Sequence, residues 1–175
     1  RVHYWDYTNK LSFSPRFSAS LRTNGNNDLI ARLSFGWYHQ PPFYRELKDL
    51  YGNVNPVIQT PYSIQAVAGV DLTFISWDRP FRFTAETYYK SLKDLIPYQY
   101  ENVRIRYLSD KISNGYAYGL DLKINGEFVS GTQSWISASL MDTKEDIKGD
   151  GDHGYIPRPS DQRFKFSMFF QDYLP

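Results

Sequence analysis

Strict alternation of apolar and polar side chains constrains this chain more than any other feature. From Leu11 to Arg22 the odd positions are Leu11, Phe13, Pro15, Phe17, Ala19 and Leu21, and the even ones are Ser12, Ser14, Arg16, Ser18, Ser20 and Arg22. A period of two puts one set on one side of a strand and the other set on the opposite side. After the turn formers Asn24-Gly25-Asn26-Asn27-Asp28, the pattern resumes with Leu29, Ala31, Leu33, Phe35 and Trp37 against Arg32 and Ser34. Five further runs follow: Ser63 to Ile75, Phe81 to Lys90, Gly115 to Asn125, Gln133 to Met141 and Gln162 to Phe170. A short run with Val103, Ile105 and Tyr107 against Arg104 and Arg106 extends from one of the links. No segment carries an apolar stripe at helical spacing. The sequence therefore predicts an all-β chain, an antiparallel up-and-down meander of about seven to eight strands. Phe13–Leu21 is expected to pair with Leu29–Trp37, and Val70–Phe74 with Phe81–Ala85, because short turns join them.

Alternation alone fits both a soluble sandwich and a membrane barrel. Three features favour the barrel. The runs exceed the ~5–6 residues of ordinary strands and approach the ~9–11 that cross a bilayer at a tilt. Their links alternate in length. Leu21 to Leu29, Phe74 to Phe81 and Asn125 to Gln133 are short, whereas His39 to Tyr62, Ser91 to Asn114 and Asp142 to Asp161 are long. Outer-membrane barrels combine short periplasmic turns with long extracellular loops in this way. Finally, aromatic residues make up 18% of the chain, with 15 Tyr, 12 Phe and 4 Trp, and they fall into two belts. Trp37, Tyr38, Tyr62, Tyr88, Tyr89, Tyr116 and Tyr118 lie towards the long links; Phe74, Trp77, Phe81, Phe128, Trp135, Phe170 and Tyr173 lie towards the short ones. Two belts a strand apart match the two membrane interfaces.

In this arrangement Phe13, Phe17, Leu33, Phe35, Val70, Leu72, Phe83, Leu122, Ile124, Ile136, Phe166 and Met168 face lipid. Arg16, Arg32, Asp71, Arg82, Glu86, Asp121, Lys123, Arg163 and Lys165 face a lumen. Single-chain bacterial barrels use an even strand number, and open edges are costly in lipid. The 175 residues are thus expected to be a fragment of a single barrel domain, with both ends reading as cuts. Standing alone, such a fragment is expected to turn its apolar side chains inward or onto a second copy.

Several segments resemble TonB-dependent outer-membrane receptors of the Bacteroidetes type. Phe13-Ser14-Pro15-Arg16 is similar to a strand motif of that family, and Tyr38-His39-Gln40-Pro41-Pro42-Phe43-Tyr44-Arg45-Glu46-Leu47 resembles one of its strand-to-loop segments. Asn114-Gly115-Tyr116-Ala117-Tyr118-Gly119-Leu120-Asp121 and Ile156-Pro157-Arg158-Pro159-Ser160-Asp161-Gln162-Arg163 resemble its later strands, as does Phe169-Phe170-Gln171-Asp172-Tyr173. The resemblance implies a plugged barrel of ~22 strands in the outer membrane of a Gram-negative cell, importing a scarce nutrient such as a siderophore, vitamin, glycan or peptide. It implies outer-membrane lipid, a TonB complex and a small nutrient ligand as partners, with the TonB contact made through a plug domain. The chain departs from the family in having no plug, no TonB box and no closing strand with a terminal aromatic. It would correspond to the C-terminal part of the barrel, roughly a third of it.

The alternatives differ in chemical class. A soluble β-sandwich that binds a ligand such as carbohydrate fits the alternation and the tyrosines. An usher or lipid-export channel is a further barrel reading. Net charge of +1 points to no nucleic-acid partner. With no Cys there is no thiolate site or Cys nucleophile. No nucleophile triad or phosphate loop is visible, so the chain is not expected to be an enzyme or to hold a cofactor. His3, His39 and His153 lack metal-ligand spacing. Asp146, Asp150 and Asp152 with Gly149 and Gly151 fail the calcium-loop pattern, since Lys148 takes a ligand position and no Glu closes it. Asp71, Glu86 and Asp121 offer acid and base groups in the manner of a glycosidase, but ion pairing along a lumen wall is the plainer account. Ligand contacts are expected from Tyr98, Tyr100, Arg104, Arg106 and Tyr107, aromatic and guanidinium groups clustered in one long link.

Overall fold

A computed structural model describes residues 1–23, 28–151 and 154–173. The chain is all-β, and its elements in order are β1 (Val2–Trp5), β2 (Lys10–Phe13), β3 (Arg16–Thr23), β4 (Asp28–His39), β5 (Tyr62–Ser76) and β6 (Arg79–Leu95). Then come β7 (Tyr98–Glu101), β8 (Arg104–Tyr107), β9 (Ser113–Gly126), β10 (Ser134–Ile147), β11 (Ile156–Pro157) and β12 (Phe164–Phe169). Eight of these strands form one antiparallel sheet in the order β3-β4-β5-β6-β9-β10, with β11 and β12 sharing the outer edge of β10. The meander expected from the alternating runs is present. The sheet is open rather than closed. Two small hairpins, β1-β2 and β7-β8, stand outside it.

Register follows the turns. Val70 pairs with Ala85 and Phe74 with Phe81 across a hairpin whose two-residue turn, Trp77-Asp78, is left-handed at both positions (φ 52° and 56°). That is the geometry matching the twist of two joined strands. Phe17 pairs with Phe35 and Leu21 with Ala31; most of the turn expected between these strands lies outside the described residues. The run from Leu11 to Arg22 is not one strand. Pro15 has no N–H to give a ladder, and the chain breaks there. β2 pairs with β1, so Phe13 sits opposite Val2 instead of extending the hairpin, while the Pro15 carbonyl still accepts from Trp37 N–H at 2.9 Å.

Successive registers carry the two-residue period across the whole sheet. Ala19, Leu33, Ala68, Thr87, Leu120, Leu140 and Phe164 stand in one cross-strand row. The next row, one residue away and on the opposite face, is Ser20, Arg32, Gly69, Glu86, Asp121, Ser139 and Lys165. The strands exceed their alternating cores, with β5 and β6 running to 15 and 17 residues. Among the described residues, no second sheet packs on either face. Leu21, Leu33 and Phe166 remain 71%, 54% and 57% exposed, and Phe83 and Leu122 are half-buried by their row neighbours. Within the one chain the apolar side chains thus do not turn inward, the first of the two arrangements expected of a lone fragment. The sheet stays a single layer, because the long hydrogen-bonded ladders hold neighbouring strands side by side.

The buried apolar cluster lies in the long links instead. Leu47, Ile58 and Ile96 form it, with Trp5 and Tyr107 packed against them. Two bonds involving Asn55 tie three segments together: Tyr7 Oη donates to its carbonyl, and its side-chain amide donates to the Ser109 carbonyl at 2.6 Å. At the other end, Phe81 is nearly fully buried among Phe74, Trp77 and Phe128 at centroid distances of 5.9, 5.8 and 5.2 Å. Gly126 opposite permits this. A Cβ there would lie 2.5 Å from the Phe81 ring.

Candidate functional site

The polar face of the sheet carries its charges in a paired wall. Asp71 is 3% exposed. It meets Arg32 of β4 at 3.0 Å and Arg82 of β6 at 3.1 Å, and accepts from Thr84 Oγ1 at 2.7 Å. Glu86 reaches Arg32 only at 4.0 Å. Asp121 has no ion pair among the described residues, although it stands directly opposite Glu86. Glu86 and Asp121 thus stand opposite each other on this wall, while Asp71 is taken up by its two arginines. Further along, Glu145 is buried against Ser113 Oγ at 2.8 Å and faces Arg158 at 3.5 Å.

Where this face meets the long links, a cavity of about 790 Å³ opens, within the ~300–1,000 Å³ of small-ligand sites. Its floor comes from the β3, β4 and β5 ends, with Arg16, Tyr38 and Gln65 projecting from the polar face. Its far wall comes from the β7-β8 hairpin. The pairs Tyr98 with Tyr107 and Tyr100 with Ile105 share one side of that hairpin; Gln99 with Arg106 and Glu101 with Arg104 share the other. Tyr98, Ile105 and Tyr107 accordingly line the cavity.

Of the five residues expected to contact ligand, Tyr98 and Tyr107 are in the cavity wall. Tyr100 lies on the same side of the hairpin but stays exposed, edge-on to Tyr98 at 5.8 Å. Arg104 and Arg106 project from the opposite side, where Arg106 pairs with Glu101. Burial pushes the Tyr107 phenol above its ordinary pKa, and the Glu46 carboxylate adds to the shift. The group therefore stays a hydrogen-bond donor well into alkaline solution.

Further lining residues were not among the expected ligand contacts: Arg16, Tyr38, His39, Glu46, Tyr62 and Arg158. The signal that would have found Arg16 and Tyr38 is their shared parity, since both lie on the polar side of adjoining strands next to a long link. Glu46, in mid-loop, carries no such signal. His3 and His39, far apart in sequence, line the same cavity; His153 and Asp152 lie outside the described residues. His39 Nδ1 is 3.1 Å from the buried Ser14 Oγ, and its ring stacks on Tyr62 at 5.3 Å. No carboxylate pairs with His39 among the described residues, so the serine lacks the third group that orients a general base. Phenols, amides and one guanidinium over a ring make a surface suited to holding a polar small molecule.

Comparison with protein-family models, curated proteins and solved structures finds no match to this chain.

Proposed function

We propose that the chain forms part of the barrel of an outer-membrane receptor of the TonB-dependent kind, which takes a scarce nutrient through the outer membrane. The observation that carries this reading is the single-layer sheet. Its strands are long enough to cross a bilayer, and its continuous apolar face is covered by no other layer. In water such a face far exceeds the few hundred Å² that soluble monomers expose; in lipid it is solvated. A soluble sandwich needs a second sheet over that face, and the described residues provide none. The paired charges of the opposite face would line the lumen, and the cavity at the long-link end would meet the small nutrient ligand. Energy would come from a TonB complex acting through a plug domain.

Fractionation of the native cells tests this. The protein is expected to sediment with outer membranes and to require detergent. Protease added to intact cells is expected to cut first within His39–Tyr62, Ser91–Asn114 or Asp142–Asp161. Recovery in the soluble fraction removes the barrel reading, and cleavage only after permeabilisation reverses its orientation.

A further inference from the structure

We infer that the cavity selects a small ligand bearing a carboxylate on a hydroxylated ring, and that Arg16 reads the carboxylate; this rests on the cavity being the ligand site. The charge distribution carries the inference. Glu46 is the one acid among the lining residues, and its Oε2 is held aside by the N–H of Phe43 at 2.7 Å. Arg158 already faces Glu145. Arg16 differs from the arginines lower on the same face. Arg32 and Arg82 share Asp71, whereas Arg16 meets no carboxylate among the described residues. Its guanidinium lies 4.2 Å over the Tyr38 ring. With no carboxylate on it, this guanidinium has N–H groups to offer, and two of them form a fork matched to a carboxylate.

The rest of the wall specifies the body of the ligand. Among the described residues, tyrosine hydroxyls that donate hydrogen bonds belong to Tyr4, Tyr7 and Tyr173. The phenols of Tyr38, Tyr98 and Tyr107, half-buried in the cavity wall, make no hydrogen bond within those residues. Three such phenols beside aromatic faces accommodate a ring with hydroxyls at its edge and C–H groups on its flat side. A cationic ligand would leave Arg16 facing like charge, and a neutral one would leave its fork empty.

Titration calorimetry on the protein in detergent micelles tests the inference with a matched pair of probes. One is a trisaccharide ending in glucuronate, the other the same trisaccharide ending in glucose. The acidic probe is expected to bind about tenfold more tightly at low salt, the scale of one charge-assisted fork. Arg16→Gln is expected to erase that preference. Arg16→Lys, which keeps the charge and loses the fork, is expected to retain only part of it. Equal affinity for the two probes, binding of neither, or a preference surviving in Arg16→Gln overturns the inference. The transport reading is scored separately by fractionation. A protein that sits in the outer membrane and binds neither probe loses only the ligand assignment. One that is soluble and prefers the acidic probe loses only the transport reading.

Discussion

Glu86 on β6 and Asp121 on β9 stand directly opposite each other in the sheet, two carboxylates in one cross-strand pair. Like charges so placed oppose pairing, and among the described residues Arg32, 4.0 Å from Glu86, is their one ion-pair partner. Asp121→Asn removes the repulsion without breaking an ion pair. It is expected to stabilise the protein by about 0.2–1 kcal/mol, seen as a higher urea midpoint in micelles, with the gain shrinking at high salt. A lower midpoint would mean that Asp121 has a partner of its own.

Asp71 has the opposite character. Its carboxylate is buried and shared by two arginines that are each roughly half exposed. Asp71→Asn leaves Arg82 without its anion and Arg32 with only Glu86 at 4.0 Å, but water screens both. The expected cost is therefore about 1–2 kcal/mol, below the 3–5 of a fully buried pair. Denaturant unfolding of Asp71→Asn beside Arg82→Gln checks this. The aspartate variant should lose more, because it breaks two ion pairs where the arginine variant breaks one.

Gly119 lies beneath the Tyr88 phenol. A Cβ there would sit 2.5 Å from the Tyr88 hydroxyl and 2.6 Å from the Leu140 carbonyl oxygen. Gly119→Ala is expected to cost about 1–3 kcal/mol through overpacking. Adding Tyr88→Ala should relieve only part of the loss, because the carbonyl belongs to the backbone of β10. Full rescue by the second change would show that the phenol alone makes the contact.

Asp49 provides a pH test in the 40–61 link. Desolvation favours its neutral form. Hydrogen bonds from Asn53, through both backbone and side chain, and from the Tyr51 N–H outweigh this and hold the carboxyl below its ordinary pKa. A depressed carboxyl stabilises fully above the unfolded value of ~3.9, and its contribution is lost as pH falls through the folded one. The Tyr51 and Asn53 amides are expected to exchange faster on acidification than intrinsic chemistry predicts. Asp49→Asn should remove that pH dependence. Unchanged protection in acid would place the restraint elsewhere in the loop.

The order of strands, their hairpin registers and the division of side chains between two faces were legible in the sequence. They depend on a local period of two and on short turns, and antiparallel pairing carries both outward from each hairpin without further information. The Val70–Ala85 pairing is such a case. Pro15 was legible too, as a residue without an N–H, but taking the apolar parity of Leu11 to Leu21 as one strand overrode it. The cavity was only partly visible. Tyr98 and Tyr107 stood out by composition. Arg104 and Arg106 stood out equally, yet hairpin pairing sends them to the opposite side. Which link residues fold back over the sheet depends on contacts between segments distant in sequence. Leu47, Ile58 and Ile96 bring the links together, and Asn55 fastens them to Ser109. No local pattern encodes those meetings, because they are chosen by the summed burial of side chains that become neighbours only once the sheet has formed. The sequence by itself determined a two-faced meander; the tertiary structure alone decided that Arg16, Tyr38, Tyr62 and Glu46 would share one cavity.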